Sequence, residues 1–357
     1  MDLVDTGTGH LRRARVPARP PVMSDVARLA GVSHQTVSRV LNDHASVRVE
    51  TRSRVLAAIA ELGYRPNRLA RALATRGFRS IGVVTNDTVA HGPSSTLLGI
   101  ERAARDRGWG LTVAAPRTAT RSAMLDAIEV VLDQGPGGLL VIAPDDRVAE
   151  ALPAHLEDLP VVWVAGPESG TALPTVRVDQ AAGGRMATDH LLGLGHRTVW
   201  HVTGPGDRNE ARSRLAGWAG ALRAAGAGVP PPLAGDWSPE SGHRIGRYLA
   251  ERADVTAVFA ANDEMAVGVL RALAEAGRRV PAEMSVVGFD DLPVAGYTIP
   301  PLTTVRQDFD ELGRRAVARL ACMVAPSGED EPGCGEPGCG ALRPELIVRG
   351  STAPPPR

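Results

Sequence analysis

The sequence predicts an α/β molecule in which a small helix-turn-helix headpiece precedes a two-lobed core of doubly wound parallel sheets. Three observations carry that prediction. Positive charge is packed near one end, since residues 11–79 hold fourteen arginines against four acids. Inside that segment two short helical patterns meet at a glycine. Beyond Ile81, short β-branched runs alternate with helical stretches, and the alternation runs through twice. The 357 residues leave room for two or three domains, and a 43% hydrophobic content suits a substantial core.

The whole chain balances forty basic against forty acidic residues. The +10 of residues 11–79 is therefore offset elsewhere: −2 in the first ten residues and −8 in residues 80–357. A compact basic module on a mildly acidic body seeks polyanions, most often nucleic acid. No apolar run approaches the roughly 18 residues of a membrane span. No apolar stretch follows Arg12, Arg13, Arg15 and Arg19, so no signal peptide is read, no membrane partner is expected, and the expected location is cytoplasmic. Cys322, Cys334 and Cys339 are too few for a disulfide framework and suit a reducing compartment. Residues 1–21, rich in Gly, Pro and Arg, read as a disordered extension.

The headpiece spans residues 22–66. Ser24 is placed to cap a first helix with Val26, Ala27, Leu29 and Ala30 on its apolar side, and Gly31 ends it. Ser33 is placed to cap a second, with Val37, Val40 and Leu41 inward. In a helix-turn-helix the second helix presents its outer face to the major groove. That face offers His34, Gln35, Ser38 and Arg39, of which Gln suits adenine and Arg suits guanine. Thr36 and Asn42 are placed for phosphate or sugar contacts, and Ser33 and Tyr64 complete the DNA-contacting set. A third helix, about Glu50 to Leu62, brings Val55, Leu56, Ile59 and Leu62 inward and stops at Gly63. Pro66 ends that run, and Asn67 is placed to cap a very short fourth helix, a length unstable in isolation.

In the body, "IGVVT", "LTVAA", "GLLVIA" and "PVVWVA" read as strands, with helices from about Ser95 to Asp106 and through Met124 to Leu132. The cycle restarts at "TVRVD" and runs through "TVWHVT", "AVFAA" and "MSVVGF" with helices between. Continuous β-branched runs mean strands buried on both faces, and two such sets mean two lobes with a cleft at their carboxyl ends. A polyhydroxylated ligand wants forked donors, carboxylate acceptors and an aromatic plate. Arg214, Asn262, Asp290, Trp237 and Asp145 supply these from segments following strands.

The stretch "SDVARLAGVSHQTVSRVLNDHASVRVETRSRVLAAIAELGYRPNRLARALAT" resembles the headpiece of the lactose repressor (LacI/GalR) family, and Ile81 to Arg349 resembles the periplasmic-binding-protein-like sensor core of that family. "HGPS" at 91–94, "ARSRLAGW" at 211–218, "GDW" at 235–237, "ANDEMAVG" at 261–268, "SVVGFDD" at 285–291 and "IPPLTTVRQDF" at 299–309 carry the second likeness. The resemblance implies that residues 67–79 form a hinge helix and linker, with Leu73 wedged into the minor groove and Asn67 and Ala70 lining it. It implies a first lobe of residues 80–178 and 307–330, a second of 179–306 and 341–350, and flexible segments at 331–340 and 351–357. Asp145, Arg214, Trp237, Asn262 and Asp290 match family sugar contacts. Gln307 and Phe309 match the crossover near the ligand, Asn86 completes the ligand set, and His91 matches a residue at a dimer face. The likeness is imperfect at Asn86, Ala90, Thr96 and Glu210.

These readings make a transcriptional repressor of a sugar-utilisation operon. Its expected partners are double-stranded, palindromic operator DNA, a second copy of itself, and a small sugar effector, with a galactoside favoured. The proline-rich end carries no leucine heptad, so a homodimer is expected. A different effector, including one of corepressor type, stays open. A solute-binding protein would explain the body but not the basic headpiece. A sugar-modifying enzyme would need Asp145 and Asp290 as an acid/base pair, and P-loop, HExxH and G-x-S-x-G motifs are lacking. No catalytic residue, metal site or cofactor is expected.

Overall fold

The computed structural model describes residues 21–41, 47–64, 80–85, 88–116, 120–142, 159–166, 173–324 and 341–356. The chain divides into two units, Met1–Gly77 and Phe78–Arg357.

In the first unit, helices α1 (Met23–Ala30), α2 (His34–Leu41) and α3 (Val49–Leu62) enclose a core of Val26, Ala27, Ala30, Val37, Val40, Val55, Ala58 and Tyr64. Ser24 is not the cap it was expected to be. The helix begins two residues earlier, with Val22 at the cap position, and the first-turn Asp25 carboxylate accepts from the Val22 N–H at 3.0 Å, which answers an orphan donor at the positive helix end. Ser33 does cap α2, its hydroxyl accepting from the Thr36 N–H at 3.1 Å. Gly31 and Gly63 stop α1 and α3 in the left-handed conformation, at φ 64° and 60°. Two leucines expected inward, Leu29 and Leu56, are exposed.

The second unit holds two sheets. Strands β1 (Ser80–Thr85), β2 (Gly110–Ala114), β3 (Leu139–Ile142), β4 (Val161–Val164) and β5 (Thr175–Val176) make an all-parallel sheet of order β2-β1-β3-β4-β5. Helix α4 (His91–Asp106) covers one face and α5 (Arg121–Leu132) the other. Every residue of β3 and β4 is buried. With apolar side chains worth about 1.5–3 kcal/mol each when buried, both faces must be covered. "TVRVD", read as the start of the second set, instead supplies β5 at the edge of the first sheet.

The second sheet has the order β11-β10-β9-β8-β6-β7, with strands β6 (Trp200–Thr203), β7 (Leu233–Ala234), β8 (Ala257–Ala260), β9 (Ser285–Asp290), β10 (Thr303–Arg306) and β11 (Glu345–Ile347). Only the β10–β11 pairing is antiparallel among the described strands. The final strand expected in "PELIVRGST" is thus an edge strand that needs no helical crossover. Helices α6 (Gln180–Gly193) and α7 (Asn209–Ala224) pack on one face, α8 (Pro239–Ala250) and α9 (Asp263–Glu275) on the other. α6 and α7 approach closely enough that a Cβ on Gly184 would lie 2.3 Å from the Arg214 carbonyl oxygen, so glycine there sets the height at which Arg214 meets the sheet.

Helix α10 (Phe309–Val324) follows β10 but packs in the core of the first lobe through Leu312, Ala316, Val317 and Leu320. The chain therefore passes between lobes after β5, again after β10, and again between α10 and β11. Cys322 on α10 is disulfide-bonded, an outcome the low cysteine count did not anticipate. No described helix is long and apolar enough to cross a membrane.

Candidate functional site

On the headpiece, His34, Gln35 and Arg39 are exposed along α2, Thr36 and Ser38 are half-buried, and Val37 and Val40 turn inward. Ser33 is exposed, with its hydroxyl engaged by Thr36. Tyr64, expected among the DNA contacts, is buried in the headpiece core at 7% exposure. Its ring supplies the apolar bulk that closes the three helices. Asn42, Asn67, Ala70 and Leu73, and from the ligand set Asn86 and Asp145, lie outside the described residues.

Between the lobes of the second unit lies a cavity of about 890 Å³ including its open mouth. Arg214, Trp237, Asn262, Asp290, Gln307 and Phe309 all line it. Each arrives at the end of a strand or in the first turns of the element that follows. Asn262 caps α9, its Oδ1 accepting from the Met265 N–H at 2.9 Å, while its Nδ2 donates to the Trp237 carbonyl at 3.0 Å. One side chain thus starts a helix and anchors the aromatic plate. A Cβ at Gly204 would fall 2.2 Å from the Trp237 ring, so the plate seats only over glycine.

Arg214 is buried at 4% exposure. Its Nε donates to Gln180 Oε1 at 2.8 Å, its Nη1 to the Ala261 carbonyl, and its Nη2 stands 3.6 Å from Asp290 Oδ1. The guanidinium lies 3.7 Å from the Phe289 ring centroid and 5.6 Å from that of Trp237. Burial raises the Asp290 pKa against the opposing pull of Arg214, and burial lowers that of Arg214 against Asp290. Desolvation outweighs pairing in both. Its neighbour Asp291 is committed elsewhere, to Arg306 at 2.7 Å and Arg349 at 2.6 Å. The "FDD" pair is thereby divided into one residue for the cleft and one for the scaffold.

Beneath the Asp290 loop, Asp263 is fully buried. It accepts from Thr304 Oγ1 at 2.6 Å and from the Leu292 N–H at 2.7 Å, and burial, with Asp290 adding, pushes its pKa up to about 8. Glu210 and Glu264 also line the cavity, and burial raises the pKa of each. Against them stands the first-lobe wall of Ala90, Pro93, Thr96, Ile142, Phe309 and Leu312. His91, expected at a dimer face, belongs to this wall, its ring edge-on to Phe309 with centroids 5.4 Å apart.

Three contributors escaped the sequence reading. Gln180 opens a helix and carries no motif, and Glu264, within the quoted "ANDEMAVG", was not singled out. The third is backbone strain. The described non-glycine residues with left-handed φ are Ala165 (56°), Trp237 (74°), Asp290 (106°) and Asp291 (54°). The first three line the cavity and the fourth adjoins it. Such conformations cost on the order of 1–3 kcal/mol each and cluster where a site must be aimed. Among the described residues, no group of His, Cys, Asp and Glu could hold a metal ion.

Comparison with known proteins agrees with this geometry. The family model described as bacterial regulatory proteins, lacI family, matches residues 22–67, and that of a periplasmic binding protein-like domain matches residues 188–352. The chain is 38% identical to the lactose operon repressor of Escherichia coli K12 over 304 residues, 85% of this chain and 84% of that one. It is 38% identical to the transcriptional regulator CelR of Thermobifida fusca over 349 residues, 93% and 98% of the two chains. A crystal structure of a lac repressor dimer bound to operator and the anti-inducer ONPF superposes with TM-score 0.83 at 36% identity, covering 94% of this chain and all of that one. A CelR–cellobiose complex superposes with TM-score 0.64 at 33% identity, covering 93% and 99%. With the DNA-reading headpiece, the two-lobed core and these likenesses together, the chain belongs to the LacI family of bacterial regulatory proteins and is a transcriptional repressor, not an enzyme.

Proposed function

We propose that the protein represses a sugar-utilisation operon by binding a palindromic operator as a homodimer, and that a small sugar held between the lobes releases it. The observation that carries the reading is the convergence of Arg214, Asn262, Asp290 and Trp237 on one cavity. Forked donors, a carboxylate acceptor and an aromatic plate match vicinal hydroxyls and an apolar C–H face. In this reading Gln35 and Arg39 read base edges, His34, Thr36 and Ser38 support them, and residues 67–79 form the hinge that DNA orders. The sugar acts only through its different affinity for the two lobe arrangements.

A galactoside is the first effector to test. The carboxylates of Glu210 and Glu264 in the cavity can accept from the further hydroxyls of a second sugar ring, so the β-linked disaccharides lactose and cellobiose are tested beside galactose. The deciding experiment measures operator affinity of the full chain with and without lactose, galactose and cellobiose, beside calorimetric binding of each. Weaker operator binding in the presence of one of them is the expected outcome. Operator affinity indifferent to all saccharides that bind would remove the inducer assignment. The Arg39→Ala variant should lose operator discrimination by about 1–3 kcal/mol while still binding sugar.

A further inference from the structure

Four buried or half-buried polar side chains form a closed ring at the back of the cleft. Arg214 Nε donates to Gln180 Oε1 at 2.8 Å, Gln180 Nε2 to Gln307 Oε1 at 2.7 Å, and Gln307 Nε2 to Asp290 Oδ1 at 2.7 Å. The 3.6 Å approach of Arg214 Nη2 to the same Asp290 oxygen closes it. The direction of the chain follows from its ends. Guanidinium only donates and carboxylate only accepts, so each glutamine must receive on its oxygen and give from its nitrogen. Neither amide can turn over without setting like against like.

The positions of the two glutamines matter as much as their bonds. Gln180 is the first residue of α6, directly after the crossover that leaves β5, and Gln307 begins the crossover that leaves β10. The first crossover is also tied to the third: Val178 bridges Leu342, with the Asp179 N–H donating to the Leu342 carbonyl and the Leu342 N–H to the Arg177 carbonyl, both at 2.8 Å. Gln180 therefore sits where the lobe-to-lobe connections are fastened to each other, and it touches the ligand-binding pair through Arg214 on one side and Gln307 on the other.

We infer that Gln180 is the positioning residue that couples occupancy of the cleft to the angle between the lobes, through the directed chain Arg214–Gln180–Gln307–Asp290. A ligand hydroxyl seated on Asp290 and Arg214 competes with Gln307 for the Asp290 oxygen. Once Gln307 is displaced, Gln180 loses its acceptor, and the clasp that holds the first crossover to the second, and through Arg177–Asp179 to the third, opens. The inference rests on the proposed function for its ligand, and not for the clasp itself.

The test uses the full-length repressor with Gln180→Met, which keeps the length and removes both hydrogen bonds, and Gln180→Glu, which still accepts from Arg214 but cannot donate to Gln307. The first readout is the ratio of operator Kd with saturating sugar to Kd without, using whichever of lactose, galactose and cellobiose binds the wild type. Saturation removes any effect of altered sugar affinity. Allosteric coupling typically spans about 5- to 150-fold. Both variants should bring that ratio to within about threefold of one, and a wild-type ratio in either folded variant overturns the inference. The second readout needs no ligand. Amide hydrogen exchange at Asp179 and Leu342 should accelerate at least about tenfold in both variants relative to Val162 in β4, as expected for local opening. If no saccharide alters operator affinity of the wild type, the proposed function fails and the exchange measurement alone decides: unchanged exchange at Asp179 and Leu342 overturns the clasp, and faster exchange upholds it.

Discussion

The two walls of the cleft are built on opposite principles. The second-lobe wall is polar, and its groups are held by one another: Asn262 by a helix end and the Trp237 carbonyl, Arg214 by Gln180 and Ala261, Asp290 by Gln307. Among its described residues the first-lobe wall is mostly apolar, and the hydroxyl of Thr96 there is already satisfied by the Gly92 carbonyl at 2.8 Å. Directional bonds fix the orientation of a ligand, while an apolar surface contributes area with little demand on geometry. We propose from this difference that the described second-lobe wall recognises hydroxyls and that the described first-lobe wall tolerates whatever is attached to the sugar.

The largest test of that division is Arg214→Ala. It strips Asp290 of its nearest cation while leaving the carboxylate buried. Breaking such a pair costs about 3–5 kcal/mol of stability, and loss of a buried arginine anchor costs at least about 2 kcal/mol of affinity, roughly thirtyfold. Thermal melts should show the first and calorimetry the second, with operator binding by the headpiece retained. Sugar binding within threefold of wild type would contradict the assignment of recognition to the second lobe.

Next in size is Trp237→Ala, which removes the plate but not the hydroxyl contacts. Burial of an aromatic face against the sugar is worth about 1.5–3 kcal/mol. All saccharides should weaken together and their order of preference should survive. A reordered preference would show that Trp237 selects among sugars instead of stacking on them alike.

The support beneath the polar wall has its own signature in pH. Asp263 titrates near 8 in the fold, well above its ordinary value. The native state therefore prefers the protonated carboxyl, and this contribution is present below about pH 4 and is lost as pH rises through about 8. Over that window stability should fall by roughly 1 kcal/mol per pH unit on this account. Asp263→Asn keeps an acceptor for the Leu292 N–H and offers an amide N–H to the Thr304 hydroxyl, which can accept where it now donates, so denaturant unfolding should show that slope flattened and the variant the more stable at pH 8. An unaltered slope would place the titration elsewhere.

How much of this was legible beforehand differs by region for a physical reason. The headpiece is contiguous and its helices are short, so the Ser33 cap and the Gly31 and Gly63 stops could be read locally, although the cap of the first helix was placed at Ser24 instead of Val22. Leu29 and Leu56 misled because each lies about 100° around the helix from its buried neighbour, Ala30 or Val55, where hydrophobicity alone does not decide the side. Arg214, Trp237, Asn262 and Asp290 were legible because each follows a strand and carries chemistry suited to sugar. Gln180 was not, since its role comes from a neighbour 127 positions away. Nor were the left-handed φ angles at Trp237 and Asp290, which no residue type announces unless it is glycine.

The smallest effect probes the apolar wall. Thr96 is buried at 2% exposure within α4, and its hydroxyl bonds back to Gly92 within the same helix, as threonine in a helix commonly does. Thr96→Val has nearly the same shape, leaves no buried donor unpaired, and exchanges a hydroxyl for a methyl. If the first lobe contributes only apolar area, galactose should bind as before. An o-nitrophenyl galactoside, whose ring needs an apolar surface, should then gain about 0.8 kcal/mol, about fourfold, from the added methyl. Equal changes for the free sugar and the aryl glycoside would mean that the hydroxyl-reading function extends across both walls, and the division between the lobes would have to be redrawn at Thr96.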